Sequence, residues 1–146
     1  MPKNYLSIEE VEYVAHSLAR KLLQWDEPIP EFSTRNPNIL ESCINQPFLA
    51  IGGKSLYPSM KSKGAILFYL VVKNHPFQNG NKRVAITTLL YFLSENGKWL
   101  KIDNQELYNF AVFVAESPPR SKDGMIGIIE KFITDYLEDF PNNKSD

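Results

Sequence analysis

The chain has few of the features that mark secreted, membrane-bound or nucleic-acid-binding proteins. It has one cysteine in 146 residues, which excludes an intramolecular disulfide and fits a reducing, cytoplasmic setting. The net charge is −1, so no excess of charge calls for direct nucleic-acid binding or for an anionic membrane surface. No apolar run reaches the ~18 residues of a membrane span, and the first residues lack the apolar core of a signal peptide. We therefore expect a cytoplasmic protein without a membrane partner.

Length and composition predict one globular domain. Of the 146 residues, 43% are hydrophobic and 23% are charged, as in ordinary globular proteins. We expect a single domain over residues 1–146, with its core over about residues 5–137. The polar stretch 141–146 is expected to be a disordered tail.

Helix signals dominate the first third of the chain. Ser7 and Glu10 form a capping-box pattern. They begin a helix that is predicted to run to about residue 24, with apolar residues at helical spacing: Ile8, Val11, Tyr13, Val14, Leu18 and Leu22. Asn36 followed by Pro37 predicts the start of a second, short helix.

Two apolar segments predict the centre of a helical bundle. The first helix of this pair is expected to follow Ser59 and to end near Asn74, and it is apolar on all sides over residues 65–72. The second is expected from about Asn81 to Glu95. Two outer helices are predicted over about 103–116 and 122–137. The predicted fold is thus all-α, a compact bundle of about six helices.

One segment breaks the helical pattern. Two short stretches flank a Gly-Gly pair, which is typical of a two-residue hairpin turn. A small β-hairpin is therefore predicted over Phe48, Leu49, Ala50, Ile51, Gly52, Gly53, Lys54, Ser55, Leu56 and Tyr57.

The loop between the two central helices, HPFQNGNKR at residues 75–83, carries more chemistry than a turn needs. A helix N-terminus presents unpaired N–H groups, so a helix that begins near Asn81 can bind an anion. Lys82 and Arg83 in its first turn oppose the helix dipole unless an anion lies between them. His75 could act as a base, since an imidazole takes up a proton near neutral pH.

Ordinary structural roles remain open for the same residues. His75 could simply end a helix and interact with its dipole, and the Lys82–Arg83 pair could be an ordinary solvated pair. Phe77 is expected to anchor the loop in the core. His16 is expected to be a partly exposed helix residue and not a catalytic one.

The loop resembles the motif of the Fic/Doc family, H-x-F-x-[D/E]-G-N-[G/K]-R. Lys82 resembles the variant of the Doc-like, death-on-curing branch. TRNPNILESCINQP, KSKGAILFYLVVKN and AITTLLYFLSENG are similar to further segments of that branch, so that the resemblance covers about residues 5–137.

The resemblance implies a toxin of a toxin–antitoxin pair. It would use ATP or another nucleoside triphosphate, with Mg²⁺, to transfer a phosphoryl group or AMP to a hydroxyl of a target protein, for example a translation factor. His75 would be the base. Asn79, Gly80, Asn81, Lys82 and Arg83 would bind the phosphates. The hairpin would be a flap that docks the target as an added strand. Inhibition is expected from an antitoxin encoded elsewhere.

Two departures from the family pattern keep alternatives open. Asn79 stands where the family has the acid that binds Mg²⁺, and a neutral amide oxygen should hold the metal more weakly. The chain could therefore be a catalytically weakened module that binds nucleotide or protein. A helical adaptor without nucleotide is a third alternative. Ile86 stands where members that transfer AMP have a second arginine, which favours phosphoryl transfer.

Overall fold

The structure, a computed structural model, describes residues 5–22 and 29–140. The expected end of the first helix near residue 24 and the expected disordered tail at 141–146 lie outside these ranges. Within them, no helix has the length and apolar character needed to cross a membrane.

The predicted all-α bundle with a β-hairpin is confirmed, and the described ranges contain six helices and two pairs of short strands. The helices are α1 (8–22), α2 (Pro37–Asn45), α3 (Met60–Asn74), α4 (Asn81–Glu95), α5 (Asn104–Ala115) and α6 (Lys122–Tyr136). The strands are β1 (Ala50–Ile51), β2 (Lys54–Ser55), β3 (Lys98–Leu100) and β4 (Leu137–Asp139).

The two apolar helices α3 and α4 form the centre, as their composition predicts. Helix α3 packs against α4, α6, α5 and α2, and α4 packs in addition against α1 and β3. Gly64 lets three helices meet closely, because a Cβ at this position would lie 3.1 Å from the Leu89 side chain and 3.5 Å from that of Ile133. The loop that connects α3 and α4 is therefore fixed at both ends by the most deeply buried part of the molecule.

Helix α1 departs from the predicted apolar face. It begins at Ser7 with the predicted capping box, but Val11–His16 form a π-helical segment. The wider turn rotates the residues that follow it relative to a uniform 3.6-residue repeat. Tyr13 and Leu18, two apolar residues of the predicted helical repeat, are exposed at 76% and 39% of their surface.

The pair β3–β4 was not predicted. Lys98 pairs with Asp139, Trp99 with Glu138 and Leu100 with Leu137 in an antiparallel register. Three residues are too few for an alternating pattern, and the partners lie far apart in the sequence. The pair closes the bundle beside the C-terminal end of α4.

The expectation of a partly exposed His16 is wrong, because the π-helical segment turns this side chain inward. His16 is 3% exposed, and its Nε2 donates a hydrogen bond to the Pro30 carbonyl oxygen at 3.0 Å. Burial lowers the pKa of His16, and the Arg20 charge lowers it further. The Pro30 hydrogen bond and the Glu12 charge act in the opposite direction. His16 is therefore neutral in the fold at pH 7.

This depressed pKa predicts a loss of stability in mild acid. The unfolded chain takes up the His16 proton below about pH 6.5 while the folded chain resists it, so the free energy of unfolding falls as the pH drops through that window. Urea denaturation of wild type and His16→Phe between pH 7.5 and pH 5 measures the effect. We expect a steeper decline in the wild type. Parallel curves would show that His16 does not contribute to the pH dependence.

Candidate active site

Helix α3 ends at His75 in a conformation that is unusual for a residue with a side chain. Its φ of 53° and ψ of 62° lie in the left-handed region, where His75 is the one described non-glycine residue with positive φ. Pro76 follows and cannot continue the helix. Such strain persists where the surrounding structure fixes it, often at functional sites. The His75 side chain is exposed at the mouth of the loop.

Phe77 and Asn81 hold the loop together. The Phe77 ring is 3% exposed and packs on His16 and Phe32, with centroid distances of 5.3 and 5.9 Å. Asn81 Oδ1 accepts from the Phe77 N–H at 3.0 Å, and Asn81 Nδ2 donates to the Phe77 carbonyl at 2.9 Å. The Asn81 side chain thus fixes the loop through both polar atoms of its amide.

Asn81 also contacts the predicted base. Its Nδ2 lies 3.4 Å from Nδ1 of His75. Because the two bonds to Phe77 orient the amide, Nδ2 is the atom that faces the ring, and Nδ1 must accept. Neutral His75 then carries its proton on Nε2. Uptake of a proton at Nε2 requires the other tautomer, and a contact as long as 3.4 Å is weak enough to be exchanged.

Gly80 precedes helix α4 and has no side chain to cap it. Gly80 has φ 79° and ψ 6°, and the first turn of α4 contains no acidic residue. A Cβ at Gly80 would lie 2.7 Å from Cγ1 of Ile29, so a larger residue has no room on that side. The N–H groups of the first turn therefore stay uncapped by a side chain, as an anion site requires.

The uncapped helix start opens onto a cavity of about 240 Å³. The cavity is lined by Val72, His75, Gln78, Asn79, Gly80, Asn81, Lys82 and Ala115. Lys82 is half-buried there, and within the described ranges it has neither a hydrogen-bond nor an ion-pair partner. The predicted base, the helix N-terminus and a lysine that has no ion-pair partner among the described residues thus share one cavity.

The cavity also has a wall that the sequence did not reveal. Val72 belongs to α3 and Ala115 ends α5, and neither carries chemistry of its own. Lys73 holds the two helices together, since its Nζ donates to the carbonyl oxygens of Ala115, at 3.1 Å, and Ser117. Only the packing of α5 beside the loop identifies these residues.

Asn79 carries an oxygen that fits a ligand. Its Oδ1 is buried and has no hydrogen-bond partner among the described residues. An amide oxygen is an acceptable ligand for Mg²⁺, although it supplies no charge. The described ranges contain no cluster of three or more His, Cys, Asp or Glu side chains that could hold a metal. A metal at this position would need most of its remaining ligands from a bound polyphosphate or from water.

Arg83, the last of the predicted phosphate-binding residues, is buried in the first turn of α4. Its side chain is 2% exposed, and Arg83 is not among the residues that line the cavity. Ile86, one turn further, lines a separate apolar groove between α1 and α4.

The hairpin presents two short exposed strands. Ala50 pairs with Ser55 and Ile51 with Lys54, around the predicted Gly-Gly turn. Ile51 is 70% exposed. Phe48 fixes the base of the hairpin by packing edge-on against Phe92, with centroids 5.8 Å apart. The strands bury little of their own surface, so they are available for a partner strand.

Comparison with known proteins agrees with this architecture. The family model described as the Fic/DOC family matches residues 5–93. The chain is 32% identical over 73 residues to a protein of Mycolicibacterium smegmatis called Toxin Doc. That alignment covers 50% of this chain and 56% of the relative, so the chain spans little more than half of the relative's length. No solved structure matches. Because the family match covers more than half of the chain, the chain belongs to the Fic/DOC family, as a Doc-like member.

Proposed function

We propose that the chain is a Doc-type toxin that transfers the γ-phosphoryl group of a nucleoside triphosphate to a hydroxyl of a target protein. The observation that carries this proposal is the shared cavity of His75, Lys82 and the uncapped N-terminus of α4. An anion is the ligand that this combination of charges and N–H groups favours. At about 240 Å³ the cavity suits a phosphate chain, with the nucleoside held outside.

The residues have distinct tasks in this reaction. The target's hydroxyl oxygen attacks the γ-phosphorus, the hydroxyl proton passes to His75, and the nucleoside diphosphate leaves with the electrons of the broken P–O bond. Lys82 and the N–H groups after Gly80 neutralise charge on the phosphate oxygens. Reactions of this class depend on positioning and charge neutralisation more than on covalent chemistry.

Transfer of AMP is the alternative chemistry at the same site. The hydroxyl oxygen would then attack the α-phosphorus, and pyrophosphate would leave. Ile86 provides no charge where AMP-transferring members of the family have a second arginine, and its side chain lies in an apolar groove. This difference favours transfer of the γ-phosphoryl group.

Mg²⁺ fits the site as a companion of the phosphates. Asn79 Oδ1 would hold the ion together with phosphate oxygens, and the ion would neutralise phosphate charge. All other tasks described above belong to the chain's own side chains and N–H groups.

The partners follow from the same proposal. The exposed strands of the hairpin would dock the target by backbone pairing. An antitoxin encoded elsewhere would keep the toxin inactive in the cytoplasm until it is removed. The name of the Mycolicibacterium relative, Toxin Doc, supports a toxin–antitoxin pair.

Transfer with two radiolabels tests the chemistry. The protein is incubated with a cell extract, Mg²⁺ and ATP labelled either on the γ-phosphate or on adenine. We expect γ-label on a protein band and none from adenine. If the target is labelled from adenine and not from the γ-phosphate, the reaction is AMP transfer and not phosphoryl transfer. Absence of both labels, with ATP still bound, would favour a nucleotide-binding module that has lost turnover.

The Mg²⁺ dependence of Asn79 variants distinguishes an active enzyme from a binding module that has lost turnover. Replacing Asn79 with Asp adds a negative charge beside the phosphates, which should tighten Mg²⁺ binding and raise transfer at limiting Mg²⁺. We expect a several-fold lower Mg²⁺ concentration for half-maximal activity. Asn79→Ala, which removes the oxygen, is the matched control and should shift the Mg²⁺ requirement the other way. Identical Mg²⁺ titrations of wild type, Asn79→Asp and Asn79→Ala would show that Asn79 does not bind the metal.

A further inference from the structure

The loop 75–83 packs against a short segment, residues 29 and 30, that belongs to no helix or strand. Residues 29 and 30 follow the undescribed stretch 23–28 and lie directly behind the loop. Ile29 is 5% exposed and fills the space in which a Cβ of Gly80 would sit. The position of the α4 N-terminus therefore depends on where Ile29 lies.

His16 connects this segment to the loop. Its Nε2 donates to the carbonyl oxygen of Pro30, the neighbour of Ile29, at 3.0 Å. Its ring also stacks on Phe77, with centroids 5.3 Å apart and an interplanar angle of 29°, and packs edge-on against Phe32 at 5.2 Å. One buried side chain thus contacts both the loop and the segment that supports Gly80.

The path continues to the predicted base. Phe77 exchanges two backbone hydrogen bonds with the Asn81 side chain, and Asn81 faces Nδ1 of His75. The two bonds to Phe77 fix the Asn81 amide, and an amide fixed in this way limits the orientations of the ring that it faces. A histidine is not needed merely to fill this space, since a phenylalanine ring would pack there without burying two ring nitrogens.

We infer that His16 is a positioning residue for the loop 75–83. Its hydrogen bond to Pro30 keeps Ile29 against Gly80, and its stack keeps Phe77 in place. Together these contacts set the start of α4 and the His75–Asn81 pair. The role concerns the shape of the loop in the free protein, and only its consequence for catalysis rests on the proposed function.

Amide hydrogen exchange of the free protein measures this role directly. Three amides report on the loop: Phe77, bonded to Asn81; Val84, bonded to the Gly80 carbonyl at 3.0 Å; and Asn36, bonded to the Pro76 carbonyl at 2.8 Å. His16→Phe keeps a ring on Phe77 but removes the donor to Pro30. We expect about fivefold faster exchange at the three amides, since a hydrogen bond contributes on the order of 1 kcal/mol. His16→Gln, which retains an N–H donor, should restore most of the protection.

A variant with a comparable general effect separates positioning from simple loss of stability. Ile133→Val removes one buried methyl group from α6, far along the chain from the loop, and should speed exchange of the slowest core amides without a preference for the loop. Exchange in His16→Phe that rises equally at loop and core amides, as in Ile133→Val, would overturn the inference.

Ile29→Ala removes the side chain that packs against Gly80, and so tests the same positioning without a change at His16. It keeps the inference falsifiable if His16→Phe does not fold. It should loosen Val84 most, through Gly80. Unchanged exchange at Val84 would contradict the inference. ATP binding to wild type is measured separately. If wild type binds no nucleotide, the proposed function fails while the exchange result still decides the role of His16.

Discussion

Replacing His75 with asparagine should lower transfer to the target by about 10²–10⁴-fold, the usual contribution of a general base. Asparagine tolerates the left-handed backbone at φ 53° better than most residues but cannot take up the proton. The exposed His75 side chain contributes little to the core, so the free energy of unfolding should stay within about 0.5 kcal/mol of wild type. Transfer is measured with labelled ATP and stability by urea denaturation.

Two comparisons make this result specific. His75→Ala should be as inactive as His75→Asn, although it carries more backbone strain. ATP binding should survive in His75→Asn, because the phosphates are held by α4 and Lys82. Full transfer by either variant would exclude His75 as the base. Loss of ATP binding in both would assign His75 to the phosphate site instead.

Replacing Gly80 with alanine should destabilise the protein by roughly 2–5 kcal/mol and abolish nucleotide binding. Two causes add up. Alanine is strained at φ 79°, and its Cβ would lie 2.7 Å from Cγ1 of Ile29. Relief of the second contact must displace Ile29 or the start of α4, where we propose that the phosphates bind. The free energy of unfolding and the dissociation constant of ATP are the quantities to measure.

Gly97 provides the matched control. Its φ is 77°, almost that of Gly80, but among the described residues nothing lies within 4 Å of the position of a Cβ. Gly97→Ala should therefore cost only the backbone strain, about 1–2 kcal/mol, and leave ATP binding unchanged. Equal effects of the two substitutions would mean that the Ile29 contact has no part in shaping the site.

Much of the fold could be predicted because its helices carry local signals. Ser7, Ser59 and the Asn36–Pro37 pair mark helix starts that the structure confirms. The apolar character of residues 65–72 was sufficient to place α3 at the centre. These signals lie within a few residues of the structure that they determine.

The misses have a common cause in interactions between distant parts of the chain. The inner face of α1 depends on a π-helical segment that no residue pattern marks. The pair β3–β4 forms between segments about 40 residues apart. The burial of Arg83 in the first turn of α4 likewise depends on tertiary packing, since arginine is seldom fully buried. Ala115 reaches the cavity for the same reason.

Lys82 and Lys61 offer a matched pair for the anion site. Each is the second residue of a central helix, Lys61 in α3 and Lys82 in α4. Ser59 caps α3 with its side chain, whereas Gly80 leaves α4 uncapped. Removal of either lysine should relieve repulsion from the helix dipole by about 0.3–1 kcal/mol in the free protein. Only Lys82 should matter for a nucleotide.

The most direct measurement is thermal unfolding of wild type, Lys82→Ala and Lys61→Ala with ATP, GTP, adenosine or no ligand. A ligand at ~100 times its dissociation constant stabilises the fold by roughly 2.7 kcal/mol, which corresponds to a rise in Tm of about 5 °C or more. We expect that rise with triphosphate, a smaller rise at high salt, almost none in Lys82→Ala, and an undiminished rise in Lys61→Ala. Equal melting temperatures of the wild type in all four conditions would contradict a nucleotide site in this cavity.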